Sequence, residues 1–188
     1  MAAASSAMTP LGFPAPDFML PDVVSGRKVS LSELRGANGV LVMFICNHCP
    51  YVKHINAELV AVARDFAPRG VGVVAISSND AAAYPDDSPE QMRLHAEREG
   101  YSFPYLYDET QDVARSYNAA CTPDFFLFDA TLRCVYRGQL DGSRPNNGVP
   151  VSGKDLRAAL EALTRGEPIS RDQKPSVGCS IKWKPTNA

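Results

Sequence analysis

The chain has 188 residues, which is enough for one well-filled domain and short for two. Hydrophobic residues make up 45% and charged residues 21% of it, an ordinary composition for a folded globular protein. The formal net charge of −2 gives no electrostatic reason to expect nucleic acid or an anionic membrane as a partner. No apolar run approaches the length of a membrane span.

The N-terminal sequence and the number of cysteines bear on the cellular compartment that we expect for the protein. Residues 1–16 are small and Pro-rich, without basic residues or an apolar stretch, so they do not resemble a signal peptide. If the chain starts where its gene starts, we expect a cytoplasmic protein. Its five cysteines are odd in number and are not spaced like a secreted disulfide scaffold. They fit catalytic or sensing thiols in a reducing compartment.

Small elements are predicted ahead of the first core strand. Residues 1–12 are expected to form a loose lead-in, and the ordered part begins at Pro14. Two short strands, 18–20 and 29–31, could pair across the Ser25-Gly26 turn. This pairing would give an N-terminal β-hairpin.

The core pattern begins with an unbroken apolar run over residues 40–45, whose lack of alternation indicates a strand buried on both faces. A helix is predicted from Pro50 to about Gly70. Its apolar residues recur at helical spacing, and they are Val52, Ile55, Leu59, Val62 and Phe66. A second apolar run over 71–76 completes a strand–helix–strand unit, for which the right-handed connection is the default.

The second half of the chain predicts three more helices and a hairpin. Helices over 89–99 and 109–118 each begin with a capping residue that a glutamine follows three positions later. Strands over 125–128 and 134–137 are close enough to pair antiparallel. A last amphipathic helix is expected over 155–164.

The segment Cys46-Asn47-His48-Cys49-Pro50 lies between the first core strand and the first long helix. Two thiols three positions apart can close a small disulfide ring, and a helix N-terminus stabilises negative charge, so a thiol there loses its proton more easily. The alternative is half of a zinc site. Zinc needs two more soft ligands, and no second pair with suitable spacing accompanies these cysteines or His54. The pattern therefore favours a redox dithiol, with no metal.

The order of elements, with C-x-x-C-P between the first strand and helix, resembles the thioredoxin fold. A second match is Cys121-Thr122-Pro123, just before the strand that begins at Phe125. Its Thr-Pro step is similar to the cis-proline of thioredoxin-like proteins, which faces the active-site cysteines. The resemblance therefore implies that Thr122 and Pro123 support the site and align the backbone of a bound partner.

Four further segments narrow the resemblance. The opening over 14–18 is similar to the redoxin branch, which is related to alkyl hydroperoxide reductases and thiol-specific antioxidants. The segments 47–52, 108–111 and 178–183 resemble a bacterial subgroup described as probable thiol-disulfide isomerase or thioredoxin-like proteins. The resemblance covers roughly residues 14 to 185.

The resemblance implies an α/β fold, a thioredoxin-like (glutaredoxin-type) sandwich. A central mixed β-sheet is flanked by helices and preceded by the N-terminal hairpin. We expect a redoxin domain over 14–165 and a C-terminal tail over 166–188 that packs on it.

In such a motif Cys46 is the more exposed, attacking thiol and Cys49 resolves the mixed disulfide, with Pro50 opening the helix behind them. His48 lies where oxidising family members carry histidine. A partly cationic ring there would stabilise the Cys46 thiolate and raise the reduction potential. Alternatively, His48 is exposed to solvent and has little influence.

Two departures from thioredoxin leave the catalytic base open. Thioredoxin has a buried aspartate six residues before its first cysteine, and this chain has Val40 there. The tryptophan that usually precedes the motif is replaced by Ile45. A peroxidase is the second interpretation. If Cys49 is aligned with the peroxidatic cysteine, Cys46 occupies the place of the peroxide-binding hydroxyl, which is therefore missing.

The remaining cysteines and charged groups have weaker patterns. Cys121 could be a third redox thiol or a small buried residue, and Cys134 is expected in the core. Cys179 could be an extra redox thiol or a packed thiol in the tail. His95 and the pair Asp86-Asp87 are expected to be solvated surface groups.

The sequence thus predicts a thiol–disulfide oxidoreductase that acts on protein or small-molecule disulfides with a thiol reductant. No bound cofactor is expected, because the electrons pass through the dithiol itself. A non-catalytic thioredoxin-fold redox sensor or interaction module is the alternative outside enzymes. Substrate, direction of electron flow and oligomeric state are left open.

Overall fold

The computed structural model describes residues 3–185, so residues 1–2 of the expected lead-in and 186–188 of the expected tail lie outside it. Its strands are β1 (Ala3–Ser5), β2 (Met19–Pro21), β3 (Lys28–Ser30), β4 (Gly39–Phe44), β5 (Val71–Ser77), β6 (Tyr105–Tyr107), β7 (Cys121–Thr122), β8 (Asp124–Asp129), β9 (Cys134–Gly138) and β10 (Val177–Ser180). Its α-helices are α1 (Leu31–Leu34), α2 (Pro50–Phe66), α3 (Pro89–Glu99), α4 (Asp112–Ser116) and α5 (Lys154–Arg165). Two 3₁₀ helices cover Ala67–Arg69 and Pro85–Asp87.

The central sheet has five strands in the order β6-β5-β4-β8-β9. Strand β4 pairs parallel with β5 and antiparallel with β8, so the predicted mixed sheet and the thioredoxin-like sandwich are confirmed. Every residue of β4 is buried, because the apolar run packs on both faces. Helices α2, α3 and α5 contribute to the core cluster on one face, and α1 and α4 to the cluster on the other.

The N-terminal hairpin is also confirmed, since β2 and β3 pair antiparallel with Leu20 opposite Val29. The lead-in is not loose as expected. Ala3–Ser5 forms a strand that pairs with β10, and β10 in turn pairs with β7. Short strands of small residues carry no alternating pattern, and this explains why the sequence did not indicate them.

The helix predicted over 109–118 is shorter, because α4 begins at Asp112 and ends at Ser116. Gln111 has a left-handed backbone, and its buried side chain donates to the carbonyls of Ser78 and Lys182. Asp108 accepts the N–H groups of the first turn instead. A glutamine whose amide binds two distant carbonyls anchors a loop and does not cap the helix.

Strand β10 lies directly against the Thr122-Pro123 step, whose peptide bond is cis, as the resemblance implied. Cys179 is opposite Thr122 in the antiparallel register. Gly178 makes this close approach feasible, because a Cβ at that position would collide with the carbonyl oxygen of Thr122. No helix in residues 3–185 is long and apolar enough to cross a membrane.

Replacing Gly178 with alanine should therefore push β10 away from Thr122. We expect the free energy of unfolding in urea to fall by about 1–3 kcal/mol, the usual cost of overpacking. Gly142→Ala is the matched control, because an added Cβ at Gly142 meets nothing within 4 Å. Equal stability of the two variants would contradict the close contact.

Candidate functional site

The two motif cysteines lie where the central strand passes into the longest helix. Strand β4 ends at Phe44, and Cys49 is the N-cap of α2, with Pro50 at the first helical position. Proline suits that position, because its fixed φ matches the helix and the missing N–H would have no partner there. The predicted strand–dithiol–helix arrangement is confirmed.

Both sulfurs are buried and free, with Cys46 only 1% exposed and Cys49 0% exposed. Cys46 was expected to be the more exposed thiol, and in this structure both thiols are buried. The reason is a cover formed by the chain around Thr122. Its hydroxyl lies 3.3 Å from the Cys46 sulfur, and its carbonyl oxygen lies 3.2 Å from the Cys49 sulfur.

The two motif thiols shift each other's pKa in opposite directions. The pKa of Cys49 is lowered to about 5, first by a hydrogen bond from Cys46 and further by the N–H groups of Val52 and Cys179. The pKa of Cys46 is raised, because its thiol donates to Cys49 and because it is buried. The Thr122 carbonyl can also accept a hydrogen bond from a Cys49 S–H. The proton of the dithiol therefore has a hydrogen-bond acceptor when it is on Cys46 and also when it is on Cys49.

Cys179 brings a third sulfur to the site. Its thiol and its backbone N–H both interact with the Cys49 sulfur from β10. Burial and the neighbouring Cys49 raise the pKa of Cys179 to about 12, so it is a thiol that donates to Cys49. Cys121 is buried and donates to the Pro123 carbonyl at 3.6 Å, and Cys134 is buried in the core as expected.

His48 is not a free surface histidine. Its side chain is 12% exposed, its Nδ1 lies 2.5 Å from Asp87 Oδ2, and its ring stacks on Tyr84 with centroids 5.5 Å apart. The hydrogen bond to Asp87 raises the pKa of His48. The alternative of a solvent-exposed His48 ring is therefore wrong.

Asp87 was expected at the surface and is instead fully buried. One carboxylate oxygen accepts the Asn47 N–H at 2.8 Å, and the other accepts the Asn79 side-chain amide at 2.8 Å as well as His48. The 3₁₀ turn Pro85–Asp87 folds the loop after β5 back over the dithiol segment. Burial acts to raise the pKa of Asp87, but these hydrogen bonds outweigh it and lower the pKa overall.

Asn47 and Tyr105 are further site residues that the sequence analysis missed. The Asn47 amide donates to the Asp86 carbonyl at 2.8 Å, and its oxygen accepts the Tyr105 hydroxyl at 3.0 Å. The available signal was the polar loop after β5, at the carboxyl edge of the sheet where ligands of such folds bind. His95 is also buried, contrary to expectation, in contact with Asn56 and Tyr101.

One cluster in the described part of the chain has donor atoms close enough to consider a metal. Ligand atoms of Cys46, His48 and Asp87 lie within 4.8 Å of one another. The Asp87 oxygens already accept four hydrogen bonds, two of them from His48. We therefore describe the cluster as a hydrogen-bonded network around a thiol.

Residues 11–137 match the model of the AhpC/TSA family, and the chain belongs to that family, the redoxin branch of the thioredoxin-like superfamily. The chain is similar to a solved structure, an uncharacterised conserved protein from Geobacillus kaustophilus. The TM-score is 0.97 at 60% identity, over 99% of this chain and 98% of that one.

Two curated relatives carry functional names. A Mycobacterium tuberculosis protein named provisionally as a peroxiredoxin is 30% identical over 112 residues, which are 60% of this chain and 65% of that protein. The thiol-disulfide oxidoreductase ResA of Geobacillus kaustophilus is 32% identical over 122 residues, 63% of either chain. The matches thus span just under two thirds of both relatives.

The hydroxyl of Thr122 should matter to the reactivity of Cys46. Thr122→Val keeps the shape but removes the donor, and a hydrogen bond to a charged group contributes about 1.5–3 kcal/mol. We expect the rate of Cys46 alkylation by iodoacetamide at pH 7 to fall at least about tenfold. Thr122→Ser retains the hydroxyl and should react like the unsubstituted protein. A normal rate for the valine variant would contradict the role of the hydroxyl.

Proposed function

We propose that the protein is a thiol–disulfide oxidoreductase in which Cys46 and Cys49 alternate between dithiol and disulfide. The observation that supports this most is the pair of free sulfurs at the start of α2, both in contact with Thr122 beside cis-Pro123. Membership of the AhpC/TSA family, with one relative named as a thiol-disulfide oxidoreductase, agrees with it.

In the proposed reaction, the proton of Cys46 first passes to Cys49, whose S–H can donate to the Thr122 carbonyl. The Cys46 thiolate then attacks one sulfur of a substrate disulfide, and the other substrate sulfur leaves and takes up a proton. Cys49 then attacks Cys46 in the mixed disulfide. The Cys46–Cys49 disulfide forms, and the second substrate thiol leaves. Two electrons have passed to the substrate, and a thiol reductant restores the dithiol by the reverse exchange. Because Cys46 is covered in the reduced state, attack requires a local displacement of its cover.

The remaining sequence predictions belong to this proposal. The substrates are protein or small-molecule disulfides, no bound cofactor takes part, and the setting is a reducing cytoplasm. Thr122 and Pro123 align the partner, and His48 tunes the potential. Cys179, against the Cys49 sulfur, is the stronger candidate for an extra redox thiol, because Cys121 donates to a carbonyl on the far side of the cis-proline.

A thiol peroxidase is the second candidate, and one observation favours it. The Thr122 hydroxyl lies 3.3 Å from the Cys46 sulfur, so a hydroxyl contacts the dithiol although the linear motif places none before Cys49. Peroxiredoxins also hold the peroxide with a distant arginine, and the arginine that pairs with the residue after Pro123 is already engaged. Arg137 is fully buried, pairs with Asp124 at 3.1 Å, and donates to the carbonyls of Ala7 and Asn118. The peroxidase therefore ranks below the oxidoreductase.

Cysteine variants test the main proposal. With dithiothreitol as donor, the protein should reduce insulin disulfides, and Cys46→Ser should lower turnover to the rate without enzyme. Cys49→Ser should accumulate a mixed disulfide that mass spectrometry detects, because the resolving thiol is absent. Cys134→Ser is the matched control, since that thiol is buried in the other core cluster. Full turnover by Cys46→Ser would overturn the mechanism, and absent turnover by the unsubstituted protein would favour the redox sensor.

Hydrogen peroxide separates the two enzymatic candidates. We expect slow peroxide loss in the presence of a thiol reductant, at rates close to those of free thiols, because the side-chain hydrogen-bond partner of the Cys46 sulfur is the Thr122 hydroxyl and not an arginine. The measurement is peroxide consumption against concentration, with Cys46→Ser as the blank. Rapid and saturable consumption that needs Cys46 would place the peroxidase first.

A further inference from the structure

A buried carboxylate holds the segment between the two cysteines. Asp87 Oδ1 accepts the backbone N–H of Asn47 at 2.8 Å and that of His48 at 3.4 Å. Asp87 Oδ2 lies 2.5 Å from the His48 ring and accepts the Asn79 amide at 2.8 Å. A carboxylate taken out of water is stable only when hydrogen-bond donors surround it, and here three of the four donors belong to the dithiol segment itself.

The His48 ring is consequently fixed in place near the reactive sulfur. Its Nδ1 is bound to Asp87, its plane lies 8° from the Tyr84 ring, and its Nε2 is buried with no hydrogen-bond partner in the described residues. A ring nitrogen of His48 and an oxygen of Asp87 both lie within 4.8 Å of the Cys46 sulfur. Thiol, imidazole and carboxylate thus form one cluster, the combination that activates nucleophilic thiols elsewhere.

We propose that Asp87 is a positioning residue for the dithiol: its carboxylate fixes the Asn47-His48 turn and holds a protonated His48 ring next to Cys46. The inference rests on the proposed dithiol chemistry and extends it. The histidine acts on the sulfur, and Asp87 acts through the histidine. The site thereby obtains a buried carboxylate without the aspartate that thioredoxin has at the position of Val40.

The charges of Asp87 and His48 explain why both residues are needed beside Cys46. Asp87 alone would disfavour a Cys46 thiolate, since the carboxylate raises the pKa of that thiol. A proton on His48 would offset this repulsion, because the ring and the carboxylate would then form an ion pair without net charge beside the sulfur. In turn, the hydrogen bond to Asp87 raises the pKa of His48 and keeps the ring protonated towards neutral pH.

Other ionisable groups face Asp87 and His48 and also influence the pKa of His48. Lys182 opposes protonation of His48, and Cys49 favours it when it carries the charge. Tyr105 is buried on the other side of Asn47 and is neutral, because burial raises its pKa. A recess beside the ring is lined by Lys53, Asp86, His95 and Arg98. Of these groups, Asp87 is the one that contacts the His48 ring through a carboxylate.

An NMR titration of the His48 ring tests the inference without any substrate. In the unsubstituted protein His48 should titrate above its ordinary pKa of about 6.5. In Asp87→Asn its pKa should fall to that value or below it, because burial and Lys182, which lower the pKa, are then no longer opposed by the carboxylate. Asp86→Asn is the matched control: it removes the same charge one residue away, where the side chain is exposed. His48 of the control should titrate as in the unsubstituted protein.

The pH profile of Cys46 alkylation connects the pair to the thiol. In a Cys49→Ser background, Cys46 reactivity should report the His48 ionisation, and Asp87→Asn should move that inflection to lower pH. Adding His48→Asn should abolish the inflection. In that background, Asp87→Asn should not change the pH profile of Cys46 alkylation any further. Circular dichroism checks that each variant folds. If Asp87→Asn does not fold, the His48 titration of the unsubstituted protein still tests the inference.

Several outcomes would overturn the inference. They are a His48 pKa at or below about 6.5 in the unsubstituted protein, an equal shift in Asp86→Asn, or an effect of Asp87→Asn that persists without His48. None of these measurements needs turnover. If the protein does not reduce disulfides but His48 shows the raised pKa, the proposed function is refuted and the positioning role of Asp87 is retained.

Discussion

The contact between Thr122 and the two sulfurs depends on the register of the central sheet. Phe44 at the end of β4 pairs antiparallel with Asp124 at the start of β8. Cys46 lies two residues after Phe44, and Thr122 lies two residues before Asp124. The same register, continued past the last ladder pair, therefore brings them together at 3.3 Å, although they are 76 residues apart in sequence. A slip by one residue would turn Thr122 away from the sulfurs, because side chains alternate between faces.

The two burial patterns of β4 explain how much of this could be predicted. Leu41 and Met43 pack in one core cluster, and Val42 and Phe44 in the other, so an unbroken apolar run was sufficient evidence for a central strand. The dithiol and the Thr-Pro step are local motifs, and their neighbours in sequence define them. This is why the fold, the strand–helix junction and the cis-proline followed from the sequence and its resemblance.

Asp87 could not be recognised in the same way. A carboxylate in a polar loop is normally solvated, and whether it is buried depends on donors elsewhere in the chain. Here they come from Asn47, His48 and Asn79, none of which is adjacent to it in sequence. The strand β1 escaped prediction for a related reason, since its three small residues become a strand only because β10 is there to pair with them.

The tail is part of the site because its backbone completes two hydrogen-bond chains. Strand β10 presents Cys179 to the Cys49 sulfur, and a few residues later the Lys182 N–H donates to Asn79, which in turn donates to Asp87. The first chain holds negative charge on the dithiol, and the second holds the carboxylate that binds His48. Both reach the dithiol segment from outside it, on opposite sides of the Asn47-His48 turn. The electrostatics of the two cysteines therefore depend on residues that follow the α/β core in sequence as well as on the C-x-x-C segment and the core itself.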